Sequence, residues 1–128
     1  VEAIMKVAFC SNDGTCVDEH FGRSNNIYIY DVNKSDYTFL EKRSVTPIDG
    51  TVEHKNITEL KVESIKDCTL LYVNEVGGPA AAVIIKNKIH PIKVDAKTNI
   101  IDVLNKLKEM LNNNPPMWLV RANLNKEK

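Results

Sequence analysis

Two thiols, one imidazole, three carboxylates and one guanidinium fall within the fourteen residues from Cys10 to Arg23. Cys10 and Cys16 are spaced C-x5-C, His20 stands between Glu19 and Phe21-Gly22, and Gly14 and Gly22 punctuate the run. Sulfur and imidazole nitrogen are soft to borderline donors, which suit iron, zinc or copper better than magnesium or calcium. The spacing matches no zinc-finger pattern, which argues against a closed structural zinc site. His20 is the first candidate ligand, because the adjacent glycine lets backbone approach a bound group closely. Cys16, in mid-loop, is the second candidate metal ligand and reads equally well as an ordinary exposed thiol. Cys10 directly follows an apolar run and reads first as a small buried hydrophobe, with ligation a distant third behind His20 and Cys16.

A second candidate lies far along the chain. Gly77-Gly78-Pro79 follows an apolar strand and opens a helix, so free backbone N–H groups and the helix's positive end favour an anion there. It is no P-loop, since the Lys and Ser/Thr of that motif are missing. A packing turn explains the glycines as well. Asp13, Asp18, Glu19 and Asp31, with Glu75 in the second half, raise the alternative of a metal-dependent hydrolase. Such chemistry needs carboxylates converging from several strands, and three of the first four share one loop. His54 sits in polar sequence and reads as solvated, His90 as a packed or surface residue, and Cys68 as structural.

These groups need a scaffold. Ile4–Phe9 is nearly all apolar, as a central strand covered on both faces would be. Ile27–Val32 and Tyr37–Val45, separated by the turn-prone Asn33–Asp36, read as a hairpin. A loop covers 46–54 and a weak helical stripe 55–65. Thr69–Val73 is a short strand, a helix follows from about Ala80 to Lys86, and Ile89–Val94 is a strand that Pro91 marks as an edge. Ile100, Val103, Leu104, Leu107 and Leu111 space an amphipathic helix, capped by Asn99 with Asp102 in its first turn. Asn112-Asn-Asn-Pro-Pro116 ends it. The prolines are expected to keep the tail Met117–Arg121 extended, with Trp118 and Leu119 either packed on the domain or offered to a partner. Strands first, then strand–helix alternation, predict a mixed sheet with helices on its faces.

At 128 residues the chain is a single domain, 1–128. The charges sum to zero but are uneven. Residues 1–64 carry 7 basic and 11 acidic groups, and residues 65–128 carry 10 and 6. No Lys/Arg cluster is interleaved with aromatics, which gives nucleic-acid binding little support. No apolar run approaches the roughly 20 residues of a membrane span. The start lacks the build of a signal peptide and an initiator methionine, as a trimmed chain or one cut from a longer protein would. Three cysteines argue against a disulfide framework and for a reducing cytoplasm.

Lys6-Val-Ala-Phe9, Val17-Asp-Glu-His-Phe-Gly22, Ile29-Tyr-Asp-Val32, Val76-Gly77, Ile89–Val94 and Pro115–Arg121 resemble, in order, the dinitrogenase iron–molybdenum cofactor-binding family. The likeness covers about residues 5–122, and the tail is most like the NifX branch. It implies an α/β, ribonuclease H-like three-layer fold with a mixed, mostly parallel five-stranded sheet. It implies a non-enzymatic carrier of an iron–sulfur precursor of the iron–molybdenum cofactor. The cluster would come from a NifB-type donor and go to a cofactor scaffold complex or apo-dinitrogenase. The family's ligand histidine corresponds to His20. Arg23 and Gly77-Gly78 would balance the cargo's charge, whereas ligation by Cys10 or Cys16 is not part of the resemblance. The readings from other classes are the hydrolase and a cluster-free protein–protein adaptor.

Overall fold

The computed structural model describes residues 4–44 and 54–127. Its centre is β1 (Met5–Cys10), whose run of apolar residues is explained by cover on both faces. Met5, Val7 and Phe9 point into one core, Ala8 and Cys10 into another. β1 lies antiparallel to β3 (Asn26–Val32) and parallel to β5 (Leu70–Val73). β4 (Tyr37–Ser44) pairs antiparallel outside β3, and β6 (His90–Lys93) parallel outside β5. The order is β4-β3-β1-β5-β6. Four strands therefore run one way and only β3 runs against them, as expected of a mixed, mostly parallel sheet of ribonuclease H-like type. The β3–β4 turn is closed by Asn33, whose side-chain oxygen accepts from the amides of Ser35 and Asp36.

Helices cover both faces. α3 (Ile100–Asn112) and α4 (Met117–Glu127) close the face that holds Phe9, Leu70 and Tyr72. α1 (His54–Ser64) and α2 (Gly78–Lys86) close the face that holds Ile27, Ile29 and Leu71. Each fully buried Leu, Ile or Phe here contributes about 1.5–3 kcal/mol. Asn99 caps α3 as expected, accepting from the amides of Ile101 and Asp102. Pro91 indeed lies on an edge strand.

Three features differ from expectation. α2 begins at Gly78, two residues earlier than expected. Cys16–Val17 (β2) pairs with Thr98–Asn99 (β7) in a two-stranded sheet that no pattern announced. The tail is helix α4 rather than extended, because the prolines stop at its threshold, where the Pro116 carbonyl accepts from the amides of Leu119 and Val120. Leu119 is fully buried in the core, while Trp118 stays partly exposed. The loop expected over 46–54 lies outside the described residues but for the helix start at His54, whose side chain lies outside them too. No helix among the described residues is long and apolar enough to cross a membrane.

Candidate functional site: the cleft between the His20 turn and α2

The chain leaving β2 is zipped onto the end of β5. The Asn74 amide donates to the Glu19 carbonyl (3.1 Å) and the Phe21 amide to the Glu75 carbonyl (2.9 Å), so His20 and Glu75 form a single parallel bridge. A tight turn follows, with the amides of Arg23 and Ser24 both donating to the His20 carbonyl. Phe21 points inward and is 1% exposed, which pins the turn to the core. His20, one residue earlier, is exposed. Strand alternation thus plants the phenyl ring and presents the imidazole.

His20, Gly22, Arg23, Glu75, Val76 and Gly77 line one cleft of about 290 Å³. It lies beyond the carboxyl end of β5, where α/β sheets generally receive ligands. Its far wall is the start of α2. Gly77 is the cap residue in extended conformation, no side chain caps the helix, and Pro79 has no amide to offer. The first-turn amides are therefore left for an anion. Arg23 adds an exposed guanidinium. Glu75 brings a carboxylate to the same rim, and Lys93 pairs with it at 2.9 Å. Four of the residues singled out in the sequence, His20, Arg23, Glu75 and Gly77, are thus brought together, with Gly78 next in line as the first residue of α2.

The thiols are placed elsewhere. Cys10 is wholly buried in the core under α1 and α2, and burial pushes its thiol up to about 12. Ligation by Cys10 would require that core to open. Cys16 is half-buried on β2 and does not line the cleft. Cys68 is buried, as expected, with its thiol likewise pushed up to about 12, chiefly by burial. Two of the three acidic residues of the loop are occupied with backbone. Asp18 accepts from the Asn12 amide and Asp13 from the Thr15 amide. Among the described residues, no group of three His, Cys, Asp or Glu side chains is placed to hold a metal ion.

Two positioning residues escaped the sequence reading. Lys61 of α1 is 3% exposed, and its ammonium donates to the carbonyls of Phe21 (3.0 Å) and Gly22 (3.1 Å). It also lies 5.8 Å from the centroid of the Phe21 ring, within cation–π range. Burial lowers its pKa, and Cys10 and Glu19 oppose that shift. Asn74 donates from its side chain to the carbonyls of Val17 and Val94, tying the entry of the His20 loop to the end of β6. Nothing in the spacing of either residue marks it.

Residues 3–110 match the family model described as dinitrogenase iron-molybdenum cofactor. Protein NifX of Herbaspirillum seropedicae is 36% identical over 124 residues, covering 94% of this chain and 83% of that protein. Protein NifX of Sinorhizobium fredii is 32% identical over 120 residues, covering 90% and 75%. The crystal structure of PH0822 has the same fold, with a TM-score of 0.63 at 24% identity over 82% of this chain and 89% of that one.

Proposed function

We propose that this chain, which belongs to the dinitrogenase iron–molybdenum cofactor family, carries an anionic iron–sulfur precursor of that cofactor through its assembly. The observation that carries the reading is one cleft lined by the exposed His20, by Arg23 and by the uncapped start of α2. Imidazole nitrogen is a competent iron ligand. The guanidinium and the helix amides meet the cargo's negative charge with hydrogen bonds rather than metal bonds. Lys61 holds the turn from beneath and adds a positive charge behind it.

The same donor set suits release. One imidazole on an exposed turn gives affinity with an open exit, whereas four thiolates would retain the cluster. Carriage needs no bond making in the protein, so the residues act by binding and orienting alone. The cargo arrives from a NifB-type donor and leaves for a cofactor scaffold or apo-dinitrogenase. A hydrolase reading gains little from the geometry, since Asp13 and Asp18 are bonded to backbone amides and, of the five carboxylates that raised it, Glu75 alone lines the cleft.

The test is anaerobic uptake of an isolated iron–sulfur cofactor precursor, followed by iron analysis and EPR. His20→Ala should fold normally and lose most of its bound iron, because an exposed imidazole contributes little to the core. Cys16→Ser should bind as wild type with an unchanged EPR signal, since Cys16 does not line the cleft. Full retention by His20→Ala would sink the assignment, and a changed signal in Cys16→Ser would move the ligand set toward β2.

A further inference from the structure

We propose that the surface where α2, β6 and α4 meet docks an acidic, amphipathic segment of a partner protein. A groove of about 430 Å³ runs between these elements. Its walls include Ile85 and Trp118, which are 60% and 36% exposed, over the buried Ile89 and Ala122. Lys88 and Arg121 stand on its rim. A second cleft, sharing Lys88, adds Lys66, Lys86 and Lys126. Among the described residues, the two clefts together carry five cations and no carboxylate.

Some of that charge has a local role. Lys86 lies in the last turn of α2, where it offsets the helix's negative end. Lys66 pairs with the exposed Glu63, a contact that contributes little. Lys126 donates to the carbonyls of Lys66 and Asn87, which fixes the ammonium in place, and Asp67 offsets part of its charge. None of these roles explains why an isoleucine and the chain's single tryptophan stand exposed between the cations. Large apolar anchors inside a polar, charged rim are the make-up of a protein interface, with Trp and Arg the favoured anchors. A uniformly basic rim selects an acidic partner and steers its approach.

The other occupants fit less well. A nucleic-acid base would seek the tryptophan's faces, and His90 already stacks on one of them at 5.2 Å and 18°. Strand addition to the β6 edge is blocked, because Pro91 has no amide and the strand is four residues long. A partner held by side chains remains. The groove touches the C-terminal half of α2, and the His20 cleft touches its N-terminus. At 1.5 Å per residue these ends are about 13 Å apart, so substitutions in the groove leave the lining of the cleft untouched. The docking surface does not depend on the cargo reading.

Because Trp118 is the only tryptophan, its emission reports on the groove directly. The probe is a fluorescein-labelled amphipathic peptide of glutamate and leucine at helical spacing, titrated into the full chain. We expect saturable binding, a blue shift of Trp118 emission, and weakening with added salt. Arg121→Glu and Ile85→Ser, both at exposed positions, should keep the wild-type melting temperature and weaken binding about tenfold each. Iron uptake should be unchanged in both. Equal binding of a lysine–leucine peptide, tighter binding of duplex DNA or of phosphatidylglycerol vesicles, or wild-type affinity in both variants would each overturn the proposal.

Discussion

The ammonium nitrogen of Lys61 lies 3.0 Å from the carbonyl oxygen of Phe21, in the interior, on the inner side of the turn that presents His20. A buried ammonium is costly, and it is tolerated here because two carbonyls and an aromatic face receive it. Its effect is to draw the Phe21 and Gly22 carbonyls inward and hold the turn rigid.

Lys61→Met is expected to fold, since removing the ammonium also removes its desolvation cost. The turn then loses two charge-assisted hydrogen bonds, each about 1.5–3 kcal/mol in favourable cases. Hydrogen exchange at the Arg23 and Ser24 amides should accelerate, and cargo uptake should fall several-fold. Unchanged exchange at both amides would mean that Phe21 alone anchors the turn.

Glu75→Gln tests the electrostatics of the cleft. The carboxylate faces the same space as His20 and Arg23, and its removal leaves Lys93 unpaired beside it. Uptake of an anionic cluster should tighten at low salt and return toward wild type as salt rises. Weaker uptake would indicate that Glu75 is itself a ligand.

How far the sequence spoke for this architecture differs from element to element. β1 was legible because covering a strand on both faces demands an unbroken apolar run, and α3 because five apolar residues keep helical spacing. The glycine pair was legible as a helix start. Its meeting with His20 was not, because that depends on a single bridge between residues 55 apart in sequence, His20 and Glu75. Lys61 was invisible for a related reason. A lysine in a weakly periodic helix reads as solvated, and only the carbonyls of a distant turn make burial tolerable. α4 was hidden by Pro115 and Pro116, which rule out helix before them but not after.

His90 gives a pH dependence whose sign is fixed. Burial lowers its pKa below the ordinary 6.5, so the unfolded chain binds the proton more readily. The stability this contributes is fully present above 6.5 and is lost as pH falls through that value toward the folded pKa. The melting temperature of wild type should drop more steeply than that of His90→Gln below that point. Parallel curves for the two proteins would contradict the shift.

Gly14→Ala should be damaging although the position is a surface loop. Gly14 has φ of 82°, and an added Cβ would stand 2.6 Å from Cε2 of Tyr28. Left-handed backbone and a displaced ring together cost about 1–3 kcal/mol. The expected readout is a melting temperature lowered by several degrees, with Tyr28→Ala partly rescuing the variant.

The neighbours Trp118 and Leu119 separate packing from recognition within one helix turn. Leu119 is fully buried against the α3 face of the sheet, whereas Trp118 stacks on the ring of His90 in a surface groove and is 36% exposed. Truncating a buried leucine costs about 2–5 kcal/mol, because the cavity it leaves collapses only in part. Leu119→Ala should therefore lower the melting temperature markedly and raise sensitivity to denaturant. Trp118→Ala loses one stacked contact of about 0.5–1.5 kcal/mol and the cover of its shielded part, so it should lower the melting temperature less than Leu119→Ala does. Its binding of the acidic peptide should weaken about tenfold, as an anchor residue requires. Thermal melts of the two variants beside peptide titrations decide the matter. Equal destabilisation by both substitutions would make Trp118 a core residue and leave the groove without its anchor.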